Sequence, residues 1–311
     1  MILVTGGTGF IGRALVRQLV EAGHEVRTLI RPSLHSPRLP QGIPVEVAMV
    51  SLNDLRGLRA ALRGVDSVYH LASGERGGQL FETDVEGTEI LAQAAAGAGV
   101  QRIIYLSQLG ADKASAFPAL RAKGLAEEHI RKSGVPYTIL RSSIVFGPED
   151  NFTTKMAHLI RIAPGIVFLP NGGEMLLQPL WVEDLVTSLL WSLEDAKFEN
   201  QTHEIGGSEY FSLRQIFEVI LSATGKKRLL LSASTPLLRA LNIILEASIS
   251  NYPLSGFFLD YLATDRTCET DSLPRIFNLM PARFTYRLNY LDKSTWLGLL
   301  RARFGKKDRK N

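Results

Sequence analysis

The residues of this chain with the plainest chemical meaning lie at its start. Thr5-Gly6-Gly7-Thr8-Gly9-Phe10-Ile11-Gly12 satisfies Gly-x-Gly-x-x-Gly through Gly7, Gly9 and Gly12, and Gly-x-x-Gly-x-x-Gly through Gly6, Gly9 and Gly12. An early glycine permits a tight turn, Gly9 lets backbone approach a pyrophosphate, and Gly12 lets the next helix sit against the strand. The helix start then offers unpaired amides and the positive end of its dipole to phosphate oxygens. A glycine triplet alone equally describes a tight strand-to-helix turn. Here a strand precedes it and an amphipathic helix and second strand follow, and that order makes dinucleotide binding the expectation.

Which dinucleotide depends on the end of the second strand. Folds that take NAD usually place an acid there, about 20 residues past the glycines, to hold ribose hydroxyls. Leu29-Ile30-Arg31-Pro32-Ser33 supplies an arginine instead. Its fork suits a 2′-phosphate, so NADP(H) is expected over NAD(H), with Arg13 and Arg38 as lesser helpers. The bland alternative is a solvated strand-end arginine. Other chemistries find no pattern. The six histidines are scattered without a His-Glu-x-x-His helix, so no metal is expected. No Gly-x-Ser-x-Gly elbow offers a hydrolase nucleophile. Glu183-Asp184 reads as the acidic start of a helix.

The elements that must hold these residues alternate. Apolar runs at residues 1–5, 26–30, 45–50, 67–72, 102–107 and 137–141 read as strands. Helical patterns separate them, at 11–22, from the Asn53-Asp54 cap to Gly64, at 84–98 and at 119–132. Such alternation predicts an α/β fold of Rossmann type, a doubly wound parallel sheet with right-handed crossovers. Beyond Gly147-Pro148 the pattern turns mostly helical, at 154–162, 182–193 and 213–223, with two hydrophobic helical patterns from Pro236 onward. The expected division is a dinucleotide-binding core over 1–150, a smaller, mostly helical substrate or partner portion packed on it over 151–300, and a basic tail over 301–311.

Composition bounds the class. At 311 residues, 45% hydrophobic and 21% charged, the chain is long enough to bury a full core and has the balance of a globular protein. A single cysteine, Cys268, excludes an internal disulfide framework. The chain opens straight into strand and glycine loop, and no run reaches the ~20 apolar residues of a membrane span. The expectation is a cytoplasmic protein, or one peripheral on the inner face of a membrane. The last eleven residues hold six basic side chains and one acid, more than the whole net charge of +4. The basicity is thus a tail and no sign of nucleic-acid binding. Trp296, Leu300 and Phe304 recur every four residues ahead of it. Residues 296–311 could therefore dock on a protein partner or an anionic membrane surface, or pack on their own domain and end in a solvated tail.

Several stretches carry a family resemblance. The loop over residues 5–12, the His70-Leu71-Ala72 strand end, Asp84-Val85-Glu86-Gly87-Thr88 and Phe146-Gly147-Pro148 resemble the extended and atypical, epimerase/dehydratase-like short-chain dehydrogenase/reductases, over most of residues 1–225. Arg121-Ala122-Lys123-Gly124-Leu125-Ala126-Glu127, the stretch from Val145 to Phe152 and the stretch from Gln178 to Leu185 resemble one branch. That branch includes the nucleotide-binding accessory subunit of respiratory complex I and its bacterial relatives. The resemblance implies that Thr5, Gly6, Gly9, Phe10, Ile11 and Gly12 line the pyrophosphate and that Arg31 meets the adenosine phosphate. Ala72 and Ser73 pass the nicotinamide ribose, and Ser142 and Ile144 face the nicotinamide end. Ser51 stands where the family often has an acid near the adenine amino group.

The same resemblance implies a Ser, a Tyr and a Lys for chemistry, the tyrosine four residues before the lysine on one helix. The tyrosine moves the proton; the lysine lowers its pKa and holds the nicotinamide ribose. Here the lysine position is Lys123, but Ala119 stands where the tyrosine belongs, and a methyl group transfers no proton. The fifth strand ends Leu106-Ser107-Gln108-Leu109, so one serine of the usual pair is glutamine. Lys123 and Ser107 are the remaining catalytic candidates. Two readings stay open. One is an accessory or assembly-type protein holding NADP(H), with Lys123 kept for the ribose. The other is an active NADP-dependent oxidoreductase, or a sugar-nucleotide epimerase or dehydratase, with a relocated donor such as Tyr105, Tyr137, His70, His129 or the Glu75-Arg76 loop.

Overall fold

The computed structural model describes residues 1–32, 39, 42–74, 80–248 and 264–291. The chain forms two compact units. The first comprises Met1–Val145, Gln178–Tyr210 and Arg266–Ala282; the second comprises Phe146–Leu177, Phe211–Asp265 and Arg283–Asn311. The sheet unit thus draws in two segments from beyond the boundary near residue 150 expected from sequence. The tail over 296–311, Arg38 and the Glu75-Arg76 loop lie outside the described residues.

The first unit is built on seven parallel strands. They are β1 (Ile2–Thr5), β2 (Val26–Ile30), β3 (Glu46–Met49), β4 (Ser67–His70), β5 (Arg102–Gln108), β6 (Tyr137–Ser142) and a seventh strand, Gln201–Ile205. Their order across the sheet is seventh, β6, β5, β4, β1, β2, β3, and every pairing is parallel. The strand order reverses between β1 and β4. Such a switch point opens a crevice at the carboxyl ends of the strands. The seventh strand escapes a hydrophobicity reading because Gln201-Thr202-His203-Glu204 is polar and only Ile205 is buried. Backbone pairing with β6 makes it a strand.

Side chains alternate across this sheet as the pleat requires. Ile2, Val4, Tyr69 and Ile104 join one core, and Leu3, Val68, Ile103 and Tyr105 join the other. The helices α1 (Phe10–Glu21) and Val182–Glu194 close the first face through Leu15, Leu19, Leu185 and Leu189. The second face is closed by α2 (Leu55–Ala61) and by the helices Gly87–Ala98 and Pro118–Lys132, through Leu58, Leu91, Ala126 and Ile130. Each fully buried leucine here contributes about 1.5–3 kcal/mol. Of the expected cap pair, Asp54 caps α2, its Oδ1 accepting from the Gly57 amide at 3.0 Å. The helix expected from residue 84 is already helical at Leu80 and Phe81 and passes through a π-helical turn, Glu82–Glu86, before Gly87–Ala98. Such turns are frequent beside functional sites.

The second unit mixes helices with two small sheets. The helix Leu213–Thr224 opens with a capping box between Ser212 and Gln215, and Asp150 accepts the Thr154 amide at 2.8 Å at the start of Thr153–Ile162. Ile166–Pro170 pairs in parallel with Leu229–Ala233, and Leu176–Leu177 pairs antiparallel with Phe211–Ser212. Among the described residues no helix is long and apolar enough to cross a membrane.

One buried charge cluster fastens the helix Pro118–Lys132 to the sheet. The Glu127 carboxylate, with no solvent exposure, accepts from Ser107 Oγ at 2.6 Å, Arg131 Nη2 at 2.8 Å, and Arg141 Nε and Nη2 at 2.9 and 2.8 Å. Burial pushes this carboxyl up, but Arg141, Ser107 and Arg131 outweigh burial and hold it below its ordinary range. Glu127→Gln leaves two guanidinium groups facing a neutral amide and should cost about 3–5 kcal/mol. Urea unfolding checks this; a loss under about 1 kcal/mol would mark the cluster as no stronger than an exposed pair.

Candidate functional site

The glycine loop is built by close approach. Gly6 has φ +73°, and a Cβ there would lie 2.7 Å from the Ala72 nitrogen and the Leu71 carbonyl carbon. A Cβ on Gly12 would lie 2.1 Å from the Gly6 oxygen, so α1 can start here only without a side chain. The Gly9 amide donates to Gly6 O at 2.9 Å, the Arg13 amide donates to Gly9 O at 3.0 Å, and Arg13 Nη1 donates to Thr8 O at 2.9 Å. Gly9 is the exposed tip and the N-cap, where no side chain bonds the helix amides, and the first turn holds no acid. A helix start of this kind leaves its first amides and its positive end for an anion. The bare outer side of Gly9, where a Cβ would meet within 4 Å only the Gly6 oxygen, at 3.2 Å, fits a pyrophosphate.

Beneath the loop, a hydrogen-bond chain ties β1 to β4 and to the helix beyond. The Thr88 hydroxyl donates to the Asp84 carbonyl at 2.7 Å, so it accepts from His70 Nε2–H at 2.8 Å. His70 Nδ1 is then an acceptor, taking the Thr5 hydroxyl proton at 2.6 Å, while Thr5 Oγ1 accepts the Ala72 amide at 3.3 Å. One tautomer satisfies every member. Burial, and then the charge of Lys123, lower the His70 pKa to about 3, so the imidazole is neutral.

The lysine of the expected catalytic set is present but already engaged. Lys123 Nζ lies 2.7 Å from Asp84 Oδ1, and both residues are buried. The Asp84 carboxylate also accepts from Ser73 Oγ at 2.9 and 3.1 Å and from the Gly74 amide at 2.7 Å. Lys123 Nζ lies 5.2 Å from the Tyr105 ring centroid, and that ring stacks on His70 at 5.4 Å. Burial alone would lower the lysine pKa, but Asp84 and Tyr105 more than reverse it, and the ammonium stays charged. Burial pushes the Tyr105 phenol up, against the pull of the Lys123 ammonium beside it.

The expected site residues do not all converge. Thr5, Gly6, Gly9, Phe10, Ile11 and Gly12 form one loop, and Ala72, Ser73 and Lys123 meet it or Asp84 at the end of β4. Arg31 is exposed at the end of β2. Ser51 accepts the Asn53 amide on its hydroxyl at 3.3 Å. The Ser142 hydroxyl reaches Ser107 O at 3.5 Å, and the Ile144 carbonyl accepts the Leu180 amide at 2.8 Å. Ser107 does not join Lys123: its hydroxyl is given to Glu127. Ala119 leaves the position one turn before Lys123 without a proton donor. Asp84, Thr88 and His70 enter the sequence reading only within resembling stretches or as a possible donor; their pairings escape it, because nothing in residue spacing says that a helix-start aspartate meets a lysine 39 positions later. Among the described residues no group of three His, Cys, Asp or Glu side chains could hold a metal.

The His70 environment generates a pH dependence. Its folded pKa, about 3, lies below the ordinary 6.5. The unfolded chain therefore binds a proton that the folded chain refuses. Stability is full above about pH 6.5 and falls toward pH 3, by up to about 1.4 kcal/mol per pH unit. His70→Gln keeps a donor and an acceptor without titrating and should flatten this limb in denaturant titrations across that range; an unchanged slope would exclude His70 as its source.

Comparison with known proteins agrees with this geometry. A family model described as NAD(P)H-binding matches residues 6–158. The Arabidopsis thaliana protein named NADH dehydrogenase (ubiquinone) 1 alpha subcomplex subunit 9, mitochondrial, is 29% identical over 229 residues, 70% of this chain and 56% of that one. This chain thus spans little more than half of that relative's length. The (4-alkanoyl-5-oxo-2,5-dihydrofuran-3-yl)methyl phosphate reductase of Streptomyces griseus is 31% identical over 221 residues, covering 69% of this chain and 71% of the reductase. A structure of UDP-glucose 4-epimerase with UDP-glucose from Thermotoga maritima shares the fold, with a TM-score of 0.71 at 21% identity over 97% of this chain and 99% of that chain. From the glycine spacing, the strand order and these relatives together, the chain belongs to the NAD(P)-binding, epimerase/dehydratase-like short-chain dehydrogenase/reductase superfamily.

Proposed function

We propose that this protein holds NADP(H) as a resident ligand with a degenerate catalytic set, and acts as a cytoplasmic accessory or assembly-type protein. The observation that carries the reading is the buried Lys123–Asp84 pair, 2.7 Å long, one turn beyond Ala119. In this superfamily's chemistry the ammonium lowers the pKa of a neighbouring tyrosine; here it faces a carboxylate, and the tyrosine is a methyl group. General acid–base transfer is worth about 10²–10⁴ in rate, and that contribution is missing.

The binding roles need none of it. Thr5, Gly6, Gly9, Phe10, Ile11 and Gly12 would present backbone to the pyrophosphate, and Arg31 would pair the 2′-phosphate. Ser51 would stand near the adenine, Ala72, Ser73 and Lys123 near the nicotinamide ribose, and Ser142 and Ile144 near the pyridine. When bound, the nicotinamide is the group that can give or take hydride. The Arabidopsis relative's name makes it a subunit of a larger NADH dehydrogenase; contact with a protein partner, through residues 296–311 among others, is proposed here by that likeness. A second reading, an NADP-dependent oxidoreductase, is favoured by the Streptomyces relative's name and by the Tyr105 phenol beside Lys123.

Native mass spectrometry of the purified protein and titration with NADPH and NADH test the proposal. The expected outcome is retained NADP(H), loss of binding in Gly12→Ala, and NADPH affinity at least about tenfold weaker in Arg31→Glu with NADH little changed. No turnover is expected with ketones, quinones or sugar nucleotides. Sustained turnover that vanishes in Lys123→Ala would establish the oxidoreductase instead.

A further inference from the structure

The second unit turns an apolar sheet face outward. In the parallel pair, Ile166 lies opposite Leu229 and Phe168 opposite Leu231. Alternation along a strand sets these four on one face and Val167 and Leu169 on the other. Val167 and Leu169 are buried, whereas Phe168 is 47% and Leu229 58% exposed, and Ile166 and Leu231 are exposed too. The helix Thr235–Ser248 follows, touches the strand Ile166–Pro170, and exposes Leu237 and Leu241 one turn apart. A two-stranded sheet is marginal by itself, and grouped exposed apolar side chains mark a contact surface.

The charge pattern selects the occupant. The stretches that carry this face, residues 163–170 and 226–241, contain no aspartate or glutamate, and the second contains Lys226, Lys227, Arg228 and Arg239. Arg228 Nε donates inward to the Ile160 carbonyl at 2.9 Å. Lys226 and Lys227 stand at the edge of the face, just before Leu229, and Lys227 and Arg239 are exposed. Apolar side chains within a cationic border are the pattern of proteins that lie in a lipid interface, where apolar burial and phosphate attraction add.

We infer that this face seats on the anionic surface of a lipid bilayer. Ile166, Phe168, Leu229 and Leu231 enter the boundary between headgroups and acyl chains, and Lys226 and Lys227 meet lipid phosphates. The dinucleotide takes no part, so failure here leaves the proposed cofactor binding untouched.

The test is cosedimentation of the full chain with phosphatidylcholine vesicles, with and without a one-third share of phosphatidylglycerol. Pelleting is expected with the anionic vesicles. It should weaken about tenfold or more in the double variant Lys226→Glu, Lys227→Glu, and at least as much in Phe168→Asp, Leu229→Asp. Circular dichroism should show both variants folded, and the lysine pair keeps the test decisive if the apolar pair does not fold. The inference is overturned if the wild-type chain stays in the supernatant, or if both variants pellet like wild type and only deletion of residues 301–311 releases the protein. It is also overturned if wild type self-associates without vesicles and Phe168→Asp, Leu229→Asp is monomeric, which would give the face to a second copy.

Discussion

The cofactor-binding end of the sheet rests on one steric constraint, the approach of the first helix to the first strand. The Gly6 oxygen sits where a Cβ on residue 12 would be, 2.1 Å away. Only at that separation does α1 begin directly above the end of β1, with its first amides over the switch point of the sheet. Gly6 makes the reciprocal contact with the end of β4, where a Cβ would meet the Ala72 nitrogen at 2.7 Å. Two missing side chains thus hold β1, α1 and β4 at one point. The crevice for a dinucleotide follows from that packing.

Around this point the molecule buries charge and satisfies it fully. Asp84 is met by Lys123, Ser73 and the Gly74 amide, and Glu127 by Ser107, Arg131 and Arg141. Removing either charge from water is expensive, and the cost is offset only because each oxygen finds several donors. The two clusters draw Lys123 and Ser107 to different partners. Lys123 goes to the strand β4 side through Asp84, and Ser107 goes to β6 through Glu127 and Arg141. The geometry therefore keeps Lys123 near the crevice while sending the serine elsewhere. The second unit follows a different rule, with its only parallel strand pair among the described residues leaving large apolar side chains in solvent.

Some of this was legible before any coordinates. The apolar runs of β1, β2, β4, β5 and β6 are strong because central parallel strands are buried on both faces, so composition alone announces them. The glycine loop is legible because its spacing answers a local steric demand. The seventh strand was hidden because an edge strand needs only one apolar residue, Ile205, and its polar side chains look like a loop. The helix Val182–Glu194 was legible as a helix, yet its membership in the sheet unit was not, since an apolar stripe of Leu185 and Leu189 fits any apolar partner.

The sequence by itself determined the α/β class, the dinucleotide loop and the alanine four residues before Lys123, because each is a property of residues close together in the chain. Tertiary structure alone decided that Asp84 takes Lys123, that Glu127 takes Ser107, and that His70 is a neutral relay between Thr5 and Thr88. Those are pairings across 39, 20, 65 and 18 positions. Local periodicity carries no information about which distant polar groups will share a low-dielectric interior, and only the packed sheet brings them within hydrogen-bonding reach.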